Sequence, residues 1–98
     1  MKTVSYKKDL LRRLADPEYA AGYLTACFEE GEEVFLLGLR DVVEAHGGVG
    51  QLARAAKLSR ESLYRLLSDK GNPRLSSLST IMDVLGIELH FAPKEQAA

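Results

Sequence analysis

Cys27 is the only cysteine in the 98 residues, and the chain has no tryptophan. A single cysteine excludes an intrachain disulfide and any multi-cysteine zinc site. The amino terminus is basic but lacks the uninterrupted apolar stretch of a signal peptide, and no later run is long enough to span a bilayer. We therefore expect a cytoplasmic protein with no membrane partner, in which Cys27 is a small buried hydrophobe.

The residues that carry enzyme chemistry are also missing. No paired carboxylates, activated nucleophile or metal-binding cluster can be assembled, and His46 has no second ligand at metal spacing. The glycines of residues 47–50 lack the preceding strand and the following Lys-Ser/Thr of a phosphate-binding loop. We expect no enzymatic activity, no metal and no cofactor.

The composition is that of a folded protein, with 46% apolar and 28% charged residues. The net charge of −1 hides an asymmetry along the chain. Residues 1–48 carry six Lys/Arg against nine Asp/Glu, whereas residues 49–75 carry six against two. The second segment is therefore positive between acidic flanks, which favours nucleic acid as its partner and leaves the acidic remainder for a basic protein.

The first half of the chain predicts three helices. Residues 5–15 have helical apolar spacing and basic residues that we expect to be solvated. Asp16-Pro17-Glu18 is a helix start, and the helix should run to about Glu30 and stop at Gly31. Residues 32–46 are apolar around most of their circumference, which predicts a buried helix.

Residues 51–67, QLARAAKLSRESLYRLL, contain two short helical patterns separated by a tight turn. Ala53 is small enough to let the two helices cross closely, as in a helix-turn-helix. Ser59 is the predicted cap of the second helix. Its exposed side would then present Arg60, Glu61, Tyr64 and Arg65, side chains that suit a DNA major groove.

Residues 68–74 have the composition of an exposed loop, whose Lys70 and Arg74 could hold phosphates. Ser76 or Ser77 should cap a last helix that ends at Gly86. Residues 87–91 alternate apolar and polar side chains and predict a strand. With no second strand to pair with, this strand is expected to pair with its copy in a homodimer, through Ile87, Leu89 and Phe91.

The segment LARAAKLSRESLYRLLSDKGNPRLSSLSTIMDVLGIELHF resembles the lambda-repressor-like helix-turn-helix of probable addiction-module antidote proteins, a family of bacterial antitoxins. The upstream DPEYAAGYLTACFEEG and the helix after it are also similar to that family. The resemblance implies an all-α helix-turn-helix bundle and a homodimer. It also implies an antitoxin that neutralises a RelE/HigB-like toxin, which cleaves mRNA on ribosomes, and represses the shared operon at a palindromic operator.

The resemblance assigns base reading to Ser59, Arg60, Glu61 and Arg65 with Tyr64 beside them, and a backbone or minor-groove contact to Arg74. Lys57 stands where such turns often have glycine, so a left-handed conformation is expected there. The complete set of expected double-stranded DNA contacts is Gln51, Lys57, Ser59, Arg60, Glu61, Ser62, Tyr64, Arg65, Lys70, Asn72 and Arg74.

Two roles divide the chain in this interpretation. Residues 1–31 form an amino-terminal helical extension that is the candidate toxin-contact region, within the acidic residues 1–46. Residues 32–98 form the DNA-binding domain with its dimerisation strand, 87–91. Two alternatives stay open, namely a stand-alone phage-type or metabolic repressor without a toxin, and a protein-interaction module whose basic segment is merely solvated.

Overall fold

The structure is a computed structural model that describes residues 2–68 and 70–95. Within these residues the chain is all-helical, as predicted. The six helices are α1 (Lys2–Leu14), α2 (Pro17–Glu29), α3 (Glu32–Ala45), α4 (Gly48–Ala56), α5 (Arg60–Leu66) and α6 (Leu75–Leu85). Residues 87–95 form neither helix nor strand in this single chain, so the expected strand has no ladder here.

Local signals explain where α2 and α3 begin. The Asp16 carboxylate accepts from the Glu18 N–H at 3.2 Å, and Pro17 occupies the first helical position, where no donor is needed. Gly31 separates α2 from α3 with φ = 128°, in the left-handed region that favours glycine. The predicted bounds of both helices are confirmed to within a residue, whereas α1 begins at Lys2, earlier than predicted.

One hydrophobic core joins all six helices. Fully or almost fully buried side chains come from the amino-terminal helices and equally from α4–α6, so the core crosses the expected boundary at residue 31. Its buried members are Leu14, Ala20, Leu24, Leu39, Val42, Val43, Leu52, Ala53, Ala56, Leu63, Leu67, Ile81, Met82 and Leu85. The amino-terminal helices are therefore part of the same folded body as α4–α6, whatever partners they bind.

The α2–α3 pair packs closely at a small-residue contact. A Cβ on the buried Gly38 would lie 2.6 Å from the Cys27 sulfur, so only glycine allows the two helices to approach this far. Cys27 is buried, as predicted, and this burial raises the pKa of its thiol. Cys27 is thus a packing residue at this contact.

Polar contacts tie α1 to α3. The Lys7 ammonium donates to the Asp41 carboxylate at 3.1 Å and lies 3.6 Å from Glu44. The sequence predicted that the basic residues of this helix are solvated, and for Lys7 that prediction was wrong. The Tyr23 hydroxyl donates to the other Asp41 oxygen at 3.0 Å. His46 Nε2 lies 3.0 Å from the Leu14 carbonyl oxygen, which can only accept, so Nε2 carries the proton.

The last helix differs from prediction at its start and agrees at its end. Capping by Ser76 or Ser77 was wrong: α6 begins at Leu75, with Arg74 at the cap position and no side-chain cap. Gly86 ends α6 with φ = 77°, and the Ile87 N–H closes the end on the Met82 carbonyl at 2.9 Å. No helix of the described residues is long and apolar enough to cross a membrane.

Candidate nucleic-acid interface

The connection between α4 and α5 is a tight turn of three residues. Lys57 has φ = 58° and ψ = 41°, and in the described chain it is the one non-glycine residue with positive φ. The left-handed conformation expected for Lys57 is therefore confirmed. Leu58 returns the chain toward α4, because its N–H donates to the Ala53 carbonyl at 3.0 Å. The turn keeps the Lys57 side chain exposed.

The start of α5 is fixed by its predicted cap. The Ser59 hydroxyl accepts from the Ser62 N–H at 3.0 Å, which satisfies one of the free donors of the first turn. Leu63 is 0% exposed and anchors the inner side of the helix in the core. A helix of seven residues is too short to be stable by itself, so packing of its inner side on the core stabilises α5. The same packing determines the direction in which the outer side faces.

The outer side of α5 carries the expected side chains. Arg60, Glu61, Tyr64 and Arg65 are all exposed, and Ser59 is exposed beside them, whereas Ser62 is half-buried. Gln51 is exposed on α4, and its amide group folds back over Gly47 at the start of that helix. The structure thus groups most of the expected DNA contacts on or next to α5.

The loop after α5 adds two more cations. Lys70, Asn72 and Arg74 are exposed, and Arg74 stands immediately before α6. Gly71 is required at this point because a Cβ would overlap the Leu66 carbonyl group. The close approach of Gly71 to Leu66 keeps the loop next to the end of α5. The two loop cations therefore lie near the end of that helix.

Six exposed cations lie in this region of the described chain. Among the described residues none of its six cations has a carboxylate within 4.0 Å; they are Arg54, Lys57, Arg60, Arg65, Lys70 and Arg74. By contrast, Lys7, Arg12 and Arg13 of α1 all have carboxylate partners. Unpaired, exposed cations of this kind are available to phosphates.

Tyr64 has a second environment besides solvent. Its ring is 57% exposed and lines an open cleft of about 340 Å³ between α5 and the end of α3. Arg40 and Glu44 line the cleft from α3, and Gly48 and Val49 line it from the start of α4. Tyr64 therefore lies at the edge of the α5 surface, against the amino-terminal half of the fold.

The residues predicted for dimerisation are not equivalent in the single chain. Ile87 is half-buried and packs against the core of its own chain. Leu89 is 44% and Phe91 97% exposed. Leu89 and Phe91 are thus exposed enough to contact another surface. Ile87, by contrast, anchors the start of the segment on the core of its own chain.

Comparison with known proteins shows the family to which the chain belongs. The family model of the probable addiction module antidote protein matches residues 5–93, which include all six helices except the start of α1. The chain belongs to this family. An uncharacterized protein of Haemophilus influenzae strain Rd is 33% identical over 81 residues, which cover 82% of each chain. No solved structure matches the chain significantly.

Membership of the antidote family gives the residues described above a context. Membership of the addiction-module antidote family implies a cognate toxin as the partner. The match extends across α1–α3 as well as α4–α6. The acidic amino-terminal half is therefore as much a part of the family pattern as the basic segment.

Three features of this antidote surface were missed from the sequence. Arg54 is exposed on α4 beside the expected contacts, and Arg40 lines the cleft next to Tyr64. Arg54 is one of the six cations counted in residues 49–75, but it was not among the predicted contacts. The third feature is the position of the Arg60 guanidinium, whose Cζ lies 3.6 Å from where a Cβ on Gly50 would be; no local pattern reveals it, because it involves two helices.

Proposed function

We propose that this antidote represses its own operon by sequence-specific binding to double-stranded DNA, and neutralises a RelE/HigB-like toxin through a separate surface. The observation that carries the DNA-binding part is the group of six exposed cations around α5, which have no carboxylate partners among the described residues. Such cations release counterions when they contact phosphates, and this supplies affinity that falls with salt.

In this mechanism α5 enters the major groove. Arg60 or Arg65 donates in a bidentate manner to guanine O6 and N7, and Glu61 accepts from cytosine N4. Lys70 and Arg74 hold the flanking phosphates from the loop, and Lys57 does so from the turn. Contacts to bases choose the sequence, whereas contacts to phosphates fix the position of the protein on the duplex.

A homodimer reads a palindromic operator as two half-sites about 34 Å apart. We assign the dimer contact to residues 87–91, because exposed Leu89 and Phe91 would be covered when this segment pairs with its copy. Phe91→Glu should lower the dimer fraction in sedimentation, whereas Lys94→Glu in the exposed tail should not. A Phe91→Glu protein that stays dimeric would contradict this assignment.

The base-reading assignment is tested by binding titration with a duplex that covers the region upstream of the gene. We expect Arg60→Ala and Arg65→Ala each to weaken specific binding by about 1–3 kcal/mol and to leave the fold intact. Arg12→Ala is the matched control, because Arg12 is an exposed arginine that is paired with Asp9 on α1. Equal affinity of all three variants and wild type would refute the assignment.

Toxin contact belongs, in this proposal, to the α2–α3 connection. Glu29 lies in the last turn of α2 and Glu30 caps it, where the helix dipole is already negative and favours cations. Two carboxylates at this end destabilise α2, and a cationic partner would offset that effect. Phe28 beside them is 60% exposed, with its ring edge-to-face on Phe35 at 5.5 Å, and offers an apolar contact.

Point variants test this surface better than truncation, because α1–α3 supply part of the common core. The test is co-expression with the adjacent gene, which encodes the toxin in this proposal. Wild type should restore growth, and the variant that combines Phe28→Ser, Glu29→Lys and Glu30→Lys should restore it less. The control is Asp83→Lys with Glu95→Lys, two exposed carboxylates that lie outside both the α2–α3 connection and residues 87–91. Full rescue by the first variant would place the toxin elsewhere.

A further inference from the structure

We propose that Arg40 of α3 is a further DNA contact, which holds a backbone phosphate beside the groove that α5 occupies. The inference deepens the proposed function, because it rests on DNA binding by α5. Arg40 lies outside the basic residues 49–75 and has no role in the contacts proposed above. It extends the phosphate-binding surface onto the amino-terminal half of the fold.

The structure places Arg40 next to the outer side of α5. Arg40 lines the open cleft of about 340 Å³ from α3, and Tyr64 lines the same cleft from α5, with Leu67 and Ser68 after it. Tyr64 follows Arg60 by one helical turn, so it lies on the same side of α5 as a proposed base contact. Arg40 is exposed, so a phosphate can approach it from solvent.

The charge of Arg40 is unusual in its helix. The sequence of α3 contains four carboxylates, and Arg40 is its one lysine or arginine. Asp41 accepts hydrogen bonds from Lys7 and Tyr23. Glu44, at the i+4 position from Arg40, lies 3.6 Å from the Lys7 ammonium. No carboxylate of the described residues lies within 4.0 Å of Arg40, so its charge is available to a partner.

A phosphate suits this position better than a base does. The major groove is about 12 Å wide and the two sugar-phosphate backbones form its walls. When α5 lies in the groove, a side chain beside it on a neighbouring helix meets a wall of the groove and not the base edges. Arginine donates two parallel N–H groups to phosphate oxygens. Its charge also offsets the repulsion that the carboxylates of α3 would exert on that strand.

The test compares Arg40→Gln with Lys8→Gln in titrations over a series of salt concentrations, against the upstream duplex and a scrambled duplex of equal length. Arg40→Gln should weaken binding to both duplexes about 3-fold to 10-fold at physiological salt, and reduce the slope of log affinity against log salt by about 1. Lys8→Gln should change neither quantity. Lys8 is the matched control, because it is exposed and has no carboxylate within 4.0 Å among the described residues, but does not line the cleft.

A conservative variant separates a phosphate contact from a structural role. Arg40→Lys keeps the charge and should therefore keep the wild-type salt slope. The thermal midpoint of Arg40→Gln should equal that of wild type, because the side chain is exposed. A slope that Arg40→Lys fails to restore would overturn the phosphate contact.

The remaining outcomes distinguish this contact from DNA binding by α5. An unchanged slope in Arg40→Gln, while Lys70→Gln lowers it, would overturn the contact and leave the proposed function intact. A loss confined to the upstream duplex would do the same, because it would assign Arg40 to a base. Wild-type protein that binds neither duplex would overturn the proposed DNA binding together with this inference.

Discussion

Among the described residues, three cations of α1 are paired with carboxylates, whereas the cations around α5 are not. Lys7 pairs with Asp41 at 3.1 Å, and Arg12 and Arg13 both pair with Asp9, while Lys8 on the same helix has no carboxylate within 4.0 Å. Around α5 the described cations have no such partners. Charges that are satisfied within the fold serve its architecture, whereas charges left exposed and unpaired are available to a partner.

The carboxylates show the opposite distribution: unpaired ones are concentrated at the α2–α3 connection and are few in residues 49–75. The α2–α3 connection carries Glu29, Glu30, Glu32 and Glu33, which have no cation within 4.0 Å among the described residues. The basic segment of residues 49–75 has only two carboxylates. The protein thus presents one negative and one positive surface on a single core, and each fits a partner of opposite charge.

The largest effect we predict concerns that common core. Leu39→Ala in α3 and Leu63→Ala in α5 each remove a side chain that is 0% exposed, so each should lower the free energy of unfolding by about 2–5 kcal/mol. Because the core is continuous, each variant should still unfold in one transition, measured by circular dichroism and thiol exposure of Cys27 together. Separate transitions for the two probes would show that the halves fold independently.

The next effect concerns the loop cations. Lys70→Gln and Arg74→Gln should weaken binding to upstream and scrambled duplexes alike, because phosphates carry no sequence information. Each substitution should reduce the slope of log affinity against log salt by about 1. A titration series in salt measures this, with Lys94→Gln in the exposed tail as the control. A loss confined to the upstream duplex would assign these residues to bases instead.

A smaller effect is expected on the paired side. Lys7→Ala removes the contacts with Asp41 and Glu44, but the Lys7 side chain is 49% exposed and solvent screens the pairs. The loss of stability should be about 0–1 kcal/mol in urea unfolding, and DNA affinity should not change. Lys8→Ala on the same helix serves as the comparison. Weakened DNA binding by the Lys7 variant would show that a paired cation of α1 also contributes to DNA binding.

The smallest effect is a pH dependence on the paired side. Burial and the hydrogen bond to Asp41 raise the pKa of Tyr23, and the bond to Asp41 raises the pKa of Lys7. The stabilisation of the folded state that each group contributes is complete below its ordinary pKa of about 10. It is lost as the pH rises above that value. Tyr23→Phe should therefore lose less stability than wild type between about pH 9 and pH 11 in urea unfolding. An identical alkaline decline in both proteins would contradict the role of this hydrogen bond.

Much of the fold follows from local signals in the sequence. Asp16 and Pro17 give the start of α2, Gly31 separates it from α3, and Ser59 caps α5 as predicted. The left-handed Lys57 was also predictable, because the turn requires that conformation whatever residue occupies it. Each of these features depends on residues within a few positions of one another.

The contacts between remote residues could not be predicted in the same way. Lys7 meets Asp41 across 34 positions, and His46 reaches the Leu14 carbonyl across 32. These distances depend on how helices cross, which periodicity does not specify. The start of α6 was misplaced for a related reason: two serines suggested a cap, but the helix begins before them, at Leu75. The pairing of residues 87–91 requires a second chain and stays a prediction.

Sequence-specific reading of DNA by the basic residues 49–75 can be tested with one titration. Wild-type protein is titrated at physiological salt against the upstream duplex and against a scrambled duplex of the same length and composition. We expect the upstream duplex to be bound at least about 10³-fold more tightly, and both affinities to fall as salt rises. Equal affinity for the two duplexes would refute sequence-specific reading.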